Sequence, residues 1–153
     1  VNPSSKDQTE LYAEVVMGLG EALVGNYPGR ALSFSVKKTS GETPRILGFP
    51  SKSVMLKIPR QTLIFRSDSN GEDLEGYAGA GLYESVPMDE EETIHADYAT
   101  DPLVWDEGFR TELLSKIAEA GVAIEAALDG QPQDIEGVVK DGEIYVVQTR
   151  PQV

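Results

Sequence analysis

One long amphipathic helix in a chain otherwise cut into short extended pieces is the strongest constraint on what this sequence can fold into. Phe109, Leu113, Ile117, Ala120, Ile124 and Leu128 recur at steps of three or four. That spacing predicts a single helix with a continuous apolar stripe that packs on a sheet. Asp106 stands where it can cap the start, and Asp129-Gly130-Gln131-Pro132 stops the helix near Leu128. Upstream, residues 31–37 alternate, with Leu32, Phe34 and Val36 facing one way and Ser33, Ser35 and Lys37 the other, the pattern of a half-buried strand. Residues 46–49 and 54–58 read as short strands bounded by Pro44, Pro50 and Pro59. Residues 97–102 read as irregular. Residues 11–24 fit either a helix or a strand over 11–16, a turn at Gly18-Leu19-Gly20 and a short helix from Glu21. The second reading is preferred, because each glycine inside a helix costs about 1 kcal/mol. The sum is an α+β chain, mainly antiparallel sheet packed by one long helix and ending in a β-hairpin.

Composition narrows the functions open to such a fold. The 153 residues suffice for one domain with a real core. There are no cysteines and one histidine, His95, which excludes a disulfide framework, a thiolate metal site and a multi-histidine zinc site. No run of about 18 apolar residues marks a membrane span. The net charge of −13 repels nucleic acid and anionic membrane, so neither is an expected partner. An anionic ligand therefore needs a locally positive or metal-bearing site. The acidic excess clusters around Asp89-Glu90-Glu91-Glu92, read as a solvated loop and helix start. His95 is read as an ordinary loop histidine beside it. The chain opens on Val1 rather than Met and reads as a fragment of a longer protein.

Two stretches have the residue types for phosphate chemistry. Leu63-Ile64-Phe65 reads as a strand that delivers Arg66 to a long loop. From Ser67 to Ser85 that loop has four glycines and no lysine or arginine in nineteen residues. A loop that long inside a compact domain is functional or disordered, and Leu74, Tyr77, Leu82 and Tyr83 argue against simple disorder. A guanidinium beside exposed backbone N–H groups is one way to hold phosphate oxygens; a structural surface loop is the alternative.

The second stretch is a hairpin of residues 133–140 and 143–150 around Asp141-Gly142. A two-residue turn would set Lys140 opposite Glu143 and put Glu136 and Gln148 on opposite faces. A three-residue loop with a left-handed Gly142 would set Asp134 opposite Gln148. Asp134, Glu136, Gln148 and Arg150 would then share one face, and Ile135, Val139, Tyr145 and Val147 the other. Two carboxylates and an amide oxygen suit Mg²⁺ with substrate phosphates in its shell, and Arg150 suits phosphate. A salt-bridged polar face is the alternative reading.

Three blocks of this sequence together resemble the nucleotide-binding domain shared by pyruvate phosphate dikinase, phosphoenolpyruvate synthase and the plant α-glucan water dikinases. The first runs from Glu14 to Gly25 (EVVMGLGEALVG). The second is Phe65-Arg66-Ser67 with Glu72-Asp73-Leu74. The third is Gln133-Asp134-Ile135-Glu136-Gly137-Val138 with Val147-Gln148-Thr149-Arg150-Pro151. The wording from Arg66 to Tyr83 is most similar to the α-glucan water dikinases. So is the end of the chain two residues past Pro151, where the pyruvate enzymes continue.

The resemblance implies a partial ATP-grasp fold, one subdomain and part of the clamp, over residues 1–153. It implies ATP and Mg²⁺ as cofactors. The implied reaction passes the β-phosphate of ATP through a phosphohistidine to glucosyl residues of starch, sends the γ-phosphate to water, and releases AMP and orthophosphate in the plastid stroma at the starch granule. By matching positions, Arg66 contacts the phosphates, and Asp134, Glu136 and Gln148 hold Mg²⁺ and the phosphates. Arg150 neutralises charge and Glu21 lies beside the nucleotide. The partners implied are the starch glucan, reached through other domains, and a phosphohistidine domain of the same chain. The other ATP-grasp subdomain lies outside these residues, and His95 matches no family motif position, so the piece alone is expected to be inactive. The alternatives are a pyruvate- or phosphoenolpyruvate-type dikinase domain and a non-catalytic interaction module of the same fold.

Overall fold

The computed structural model describes residues 2, 5–18, 31–50, 54–59, 64–66, 73–74, 77–78, 85–88 and 91–152. The alternating stretch forms the middle strand of a three-stranded antiparallel sheet, β1 (Glu10–Val15), β2 (Leu32–Lys37) and β3 (Arg45–Gly48), in the order β1-β2-β3. Register sets Leu11, Ala13 and Val15 opposite Val36, Phe34 and Leu32, and Phe34 opposite Ile46. One face of the sheet is therefore wholly apolar, and Leu32 and Phe34 are fully buried. Ser35 is also buried, on the other face, where it accepts a hydrogen bond from Arg45 Nη2 at 3.3 Å. The strand expected over 11–16 is present. Gly18 follows it with φ of 83°, as a glycine turn requires; the short helix expected from Glu21 lies outside the described residues.

The long helix forms as its spacing predicts. It runs over Glu107–Ala127 (α2), after a one-turn helix α1 (Pro102–Trp105) that starts where the irregular stretch of residues 97–102 ends. Each is started by an aspartate: Asp101 Oδ1 accepts from Leu103 N at 2.8 Å, and Asp106 Oδ1 from Phe109 N at 2.9 Å. Pro102 at the head of α1 also favours its start. Left-handed Asp129 (φ 59°) and Gly130 (φ 72°) end α2 as predicted.

The buried face of α2 differs from the expected stripe. Leu114 and Ala118 are the buried residues, while Leu113 and Ile117 pack beside them. Phe109 and Leu128 stand exposed at the two ends. The helix has two neighbours. Its Leu114–Ala118–Gly121 side lies on the β1-β2-β3 sheet, where a Cβ on Gly121 would meet Leu11 Cδ1 at 2.7 Å. Lys116, Ala120 and Ala123 face the terminal hairpin across a shallow cleft. A stripe drawn for one neighbour falls between two. Lys38 Nζ donates to both carboxylate oxygens of Glu125 at 2.7 Å and clamps the far end of the helix to the end of β2. Among the described residues no helix is long and apolar enough to cross a membrane.

The segment between β3 and α1 is built from nested antiparallel pairs. β4 (Val54–Pro59) pairs with β9 (Glu91–Ala96), β5 (Ile64–Arg66) with β8 (Ser85–Pro87), and β6 (Asp73–Leu74) with β7 (Tyr77–Ala78). The two inner pairs share one register, and the outer pair is offset by one residue. Within the stretch read as a loop after Arg66, Asp73–Leu74 and Tyr77–Ala78 are paired strands and Ser85 pairs with Arg66, while the rest of it lies outside the described residues. The acidic cluster read as loop and helix start instead runs into β9, with Glu91 opposite Pro59 and Glu92 opposite Ile58. His95 sits within β9 opposite Met55 and is exposed, not in a loop. The apolar run of β4 supplies a strand partner that the local acidity of β9 does not reveal.

Candidate functional site

The candidate site lies on the terminal hairpin, β10 (Gln133–Lys140) and β11 (Glu143–Pro151). Its turn has two residues, with Asp141 at φ 53° and Gly142 at φ 81° and Lys140 opposite Glu143. Positive φ at both central positions is the type I′ arrangement, which matches strand twist. Of the two turns weighed from the sequence, the two-residue one is therefore present, and the three-residue loop is not. The register then shifts by one residue between Glu136 and Gly137, which leaves Val147 as the bulged residue. Beyond the bulge Glu136 is opposite Gln148, and Asp134 is opposite Arg150 rather than Gln148.

Since paired residues share a face and alternate residues on one strand do too, Asp134, Glu136, Gln148 and Arg150 lie on one face, as expected. Tyr145, opposite Val138, lies on that same face and not with Ile135 and Val139. Tyr145 and Val138 are 56% and 52% exposed, so the polar quartet continues toward the turn as an open apolar patch. Gly137 sits at the shift, where a Cβ would come within 3.1 Å of the Tyr145 carbonyl oxygen. Close backbone approach is why glycine occupies this position.

Arg150 Nε and Nη2 both donate to Asp134 Oδ2, at 3.1 and 3.0 Å. Both bonds go to one carboxylate oxygen, and the Arg150 side chain is 29% exposed. Glu136 is exposed and Gln148 half-buried. Thr149 Oγ1 donates to Gln133 Oε1 at 3.1 Å, and Gln152 N to Pro132 O at 2.8 Å. These bonds close the open end of the hairpin beside the quartet. Among the described residues no three histidine or carboxylate side chains gather as a metal centre. A metal at this face would have two carboxylates and the Gln148 amide oxygen, one carboxylate being engaged by Arg150.

The other residues singled out from the sequence are elsewhere. Arg66 ends β5 opposite Ser85 of β8, and Glu21 lies outside the described residues. A residue with no signal in the sequence also stands out. Tyr98, two residues past β9, is buried in the core, and its hydroxyl oxygen accepts the Met17 N–H at 3.0 Å. Burial pushes its phenol above the ordinary value, so it stays protonated.

These features define an α+β domain with an oxygen-rich, charged hairpin face beside an exposed aromatic. Comparison with known proteins gives the particular relatives. The chain is 68% identical over 99% of its length to the chloroplastic α-glucan water dikinase of Solanum tuberosum. It is 65% identical over 99% of its length to α-glucan water dikinase 1 of Arabidopsis thaliana and to the α-glucan water dikinase of Citrus reticulata, both also chloroplastic. It spans about a tenth of the length of these curated relatives, from 10% to 11%. Along its whole length the chain is thus a relative of a segment of the α-glucan water dikinases, and their names support a chloroplast location. No family model matches the chain, and no solved structure matches it.

Proposed function

We propose that residues 1–153 are the C-terminal portion of the ATP-grasp nucleotide-binding domain of an α-glucan water dikinase. The whole protein transfers the β-phosphate of ATP through a phosphohistidine on another domain to glucosyl residues of starch, and releases AMP and orthophosphate. The observation that supports this best is the hairpin face. Within a chain 65–68% identical to three such dikinases, four residues that resemble the family's phosphate and metal positions, Asp134, Glu136, Gln148 and Arg150, share one face through a bulge.

The chemistry follows from that face. Glu136 and Gln148, directly opposite each other, offer two oxygens to a hard cation. Asp134 orients the Arg150 guanidinium, so that its positive charge stays on the face where phosphate charge is to be neutralised. The donor set fits Mg²⁺, which when bound supplies charge neutralisation to the phosphate oxygens. Arg66 adds a second phosphate contact and Glu21 lies beside the nucleotide, both by their matching positions. Catalysis in such a site is electrostatic positioning.

Glu136→Ala and Gln148→Ala in the full-length protein test this. Each is expected to lower β-phosphate transfer to glucan by about two orders of magnitude, or roughly 3 kcal/mol of transition-state stabilisation. Transfer near the wild-type rate in both variants would mean that the site is misassigned.

A further inference from the structure

The pairs along the hairpin face stand in a fixed order. Asp134 is opposite Arg150, then Glu136 opposite Gln148, then Val138 opposite Tyr145, each pair two β10 residues beyond the last. Strand rise sets successive pairs about 7 Å apart. A guanidinium, an oxygen pair suited to a cation, and an apolar pair with an aromatic ring therefore follow one another on one surface.

The ring is not a core side chain that happens to reach the surface. No residue from Gln133 to Pro151 is buried, and Tyr145 and Val138 are 56% and 52% exposed. Helix α2 faces the hairpin at Gly142, Glu143 and Ile144, and Tyr145 does not line that cleft. An open phenol ring beside an apolar side chain suits a flat partner with a π face. The charged end of the row suits phosphate oxygens and their cation. A nucleoside triphosphate has both ends in one molecule, a tail of charged oxygens and a flat base. A bare polyphosphate would use only one end of the row, and a neutral ring only the other.

We propose that the nucleotide lies along the hairpin, with its phosphates between Arg150 and the Glu136–Gln148 pair and its base against Tyr145 and Val138. Tyr145 binds the base and takes no part in the transfer step. Stacking on an aromatic ring tolerates any base, because every base has a π face. Tyr145 therefore sets the direction in which the nucleotide lies, and its affinity, rather than the identity of the base. This rests on the reading of the hairpin face as the phosphate site.

Tyr145→Ala in the full-length protein removes the ring from an exposed position. It is expected to raise KM for ATP about tenfold, within the range of base–aromatic stacking, with kcat and KM for glucan within about twofold, as the loss of uniform binding requires. Tyr145→Phe keeps the ring and should restore KM for ATP. Photolabelling with 8-azido-ATP should mark the peptide containing Tyr145, and unlabelled ATP should displace the label. The proposal is overturned if Tyr145→Ala keeps the wild-type KM for ATP, or if the label enters only peptides outside the hairpin. It is equally overturned if Tyr145→Phe raises KM as much as Tyr145→Ala does, because the hydroxyl and not the ring is then the contact. Failure of the phosphate-site reading shows separately, as Glu136→Ala and Gln148→Ala variants that retain full transfer activity.

Discussion

Gly137 is where the fold and the proposed chemistry meet, and its substitution gives the sharpest prediction. A Cβ there would lie 3.1 Å from the Tyr145 carbonyl oxygen, several tenths of an ångström inside comfortable contact. The obstacle is backbone and cannot rotate away, so the strands must part locally at the bulge. Overpacking of this kind costs about 1–3 kcal/mol, with alanine at the low end and β-branched valine at the high end. The larger consequence is functional. Val147 is accommodated as an extra residue just past the Gly137 position, and that accommodation keeps Gln148 opposite Glu136. A displacement of about 1 Å between groups acting together on a phosphate lowers turnover by roughly a hundredfold. Under the proposed function, Gly137→Val in the full-length protein is therefore expected to reduce β-phosphate transfer to glucan by about one to two orders of magnitude. Transfer is measured with ATP labelled at the β-phosphate, and hydrogen exchange of the α2 amides should change little beside it. Gly142→Ala is the control. Gly142 has φ of 81° with open space around it, so alanine there costs only about 1 kcal/mol of backbone strain, at the turn end, far along the strands from the quartet. If Gly137→Val transfers phosphate as well as Gly142→Ala does, the bulge does not organise the site and the reasoning fails.

Two further outcomes follow from the core and the sheet. Leu114 is fully buried (0% accessible) and belongs to the core cluster with Leu32 and Phe34. Leu114→Ala should destabilise this domain by about 2–5 kcal/mol, read as faster hydrogen exchange of α2 amides; unchanged exchange would contradict the packing described. Tyr12 is pushed up to about 12, first by burial and then by donating its hydroxyl hydrogen bond to Glu14. Its folded value stands above the unfolded one, so the stabilisation is fully present below pH 10.0 and is lost as pH rises from there to about 12. Solvent screening at this half-buried site keeps the effect below the ~2.7 kcal/mol that two units represent. Tyr12→Phe should flatten the alkaline unfolding limb in that window, and identical limbs in the two proteins would rule the coupling out.

Local pattern made the central elements legible. The alternation of Leu32, Phe34 and Val36 identifies β2, and Asp106 with Gly130 brackets α2. What stayed hidden depends on partners distant in sequence. β9 is acidic and looks like a solvated loop until β4 is set against it. The buried side of α2 turns toward Leu114 because two different elements compete for its faces, which a single helical stripe cannot show. Tyr98 finds Met17 across most of the domain, and no spacing rule connects such a pair.

The hairpin shows why a site was readable even where its register was not. Face sharing depends only on whether the number of extra residues between the strands is odd or even. One added residue in the turn, as in one of the two registers weighed from the sequence, and one added residue at Val147, as found, have the same parity. Either way Asp134, Glu136, Gln148 and Arg150 gather on one face. Pairing, however, depends on the actual offset, and here the chemistry differs. The register of a three-residue turn would have left Asp134 against an amide and open to a metal. The observed one sets it against Arg150, whose two N–H groups occupy a single carboxylate oxygen. The division of labour on the face follows from this. Glu136 and Gln148 are the pair placed for a cation, while Asp134 serves chiefly to aim the guanidinium. Asp134→Asn keeps an oxygen at that place but weakens the ion pair, so under the proposed function its cost belongs to the positioning of Arg150 more than to metal affinity.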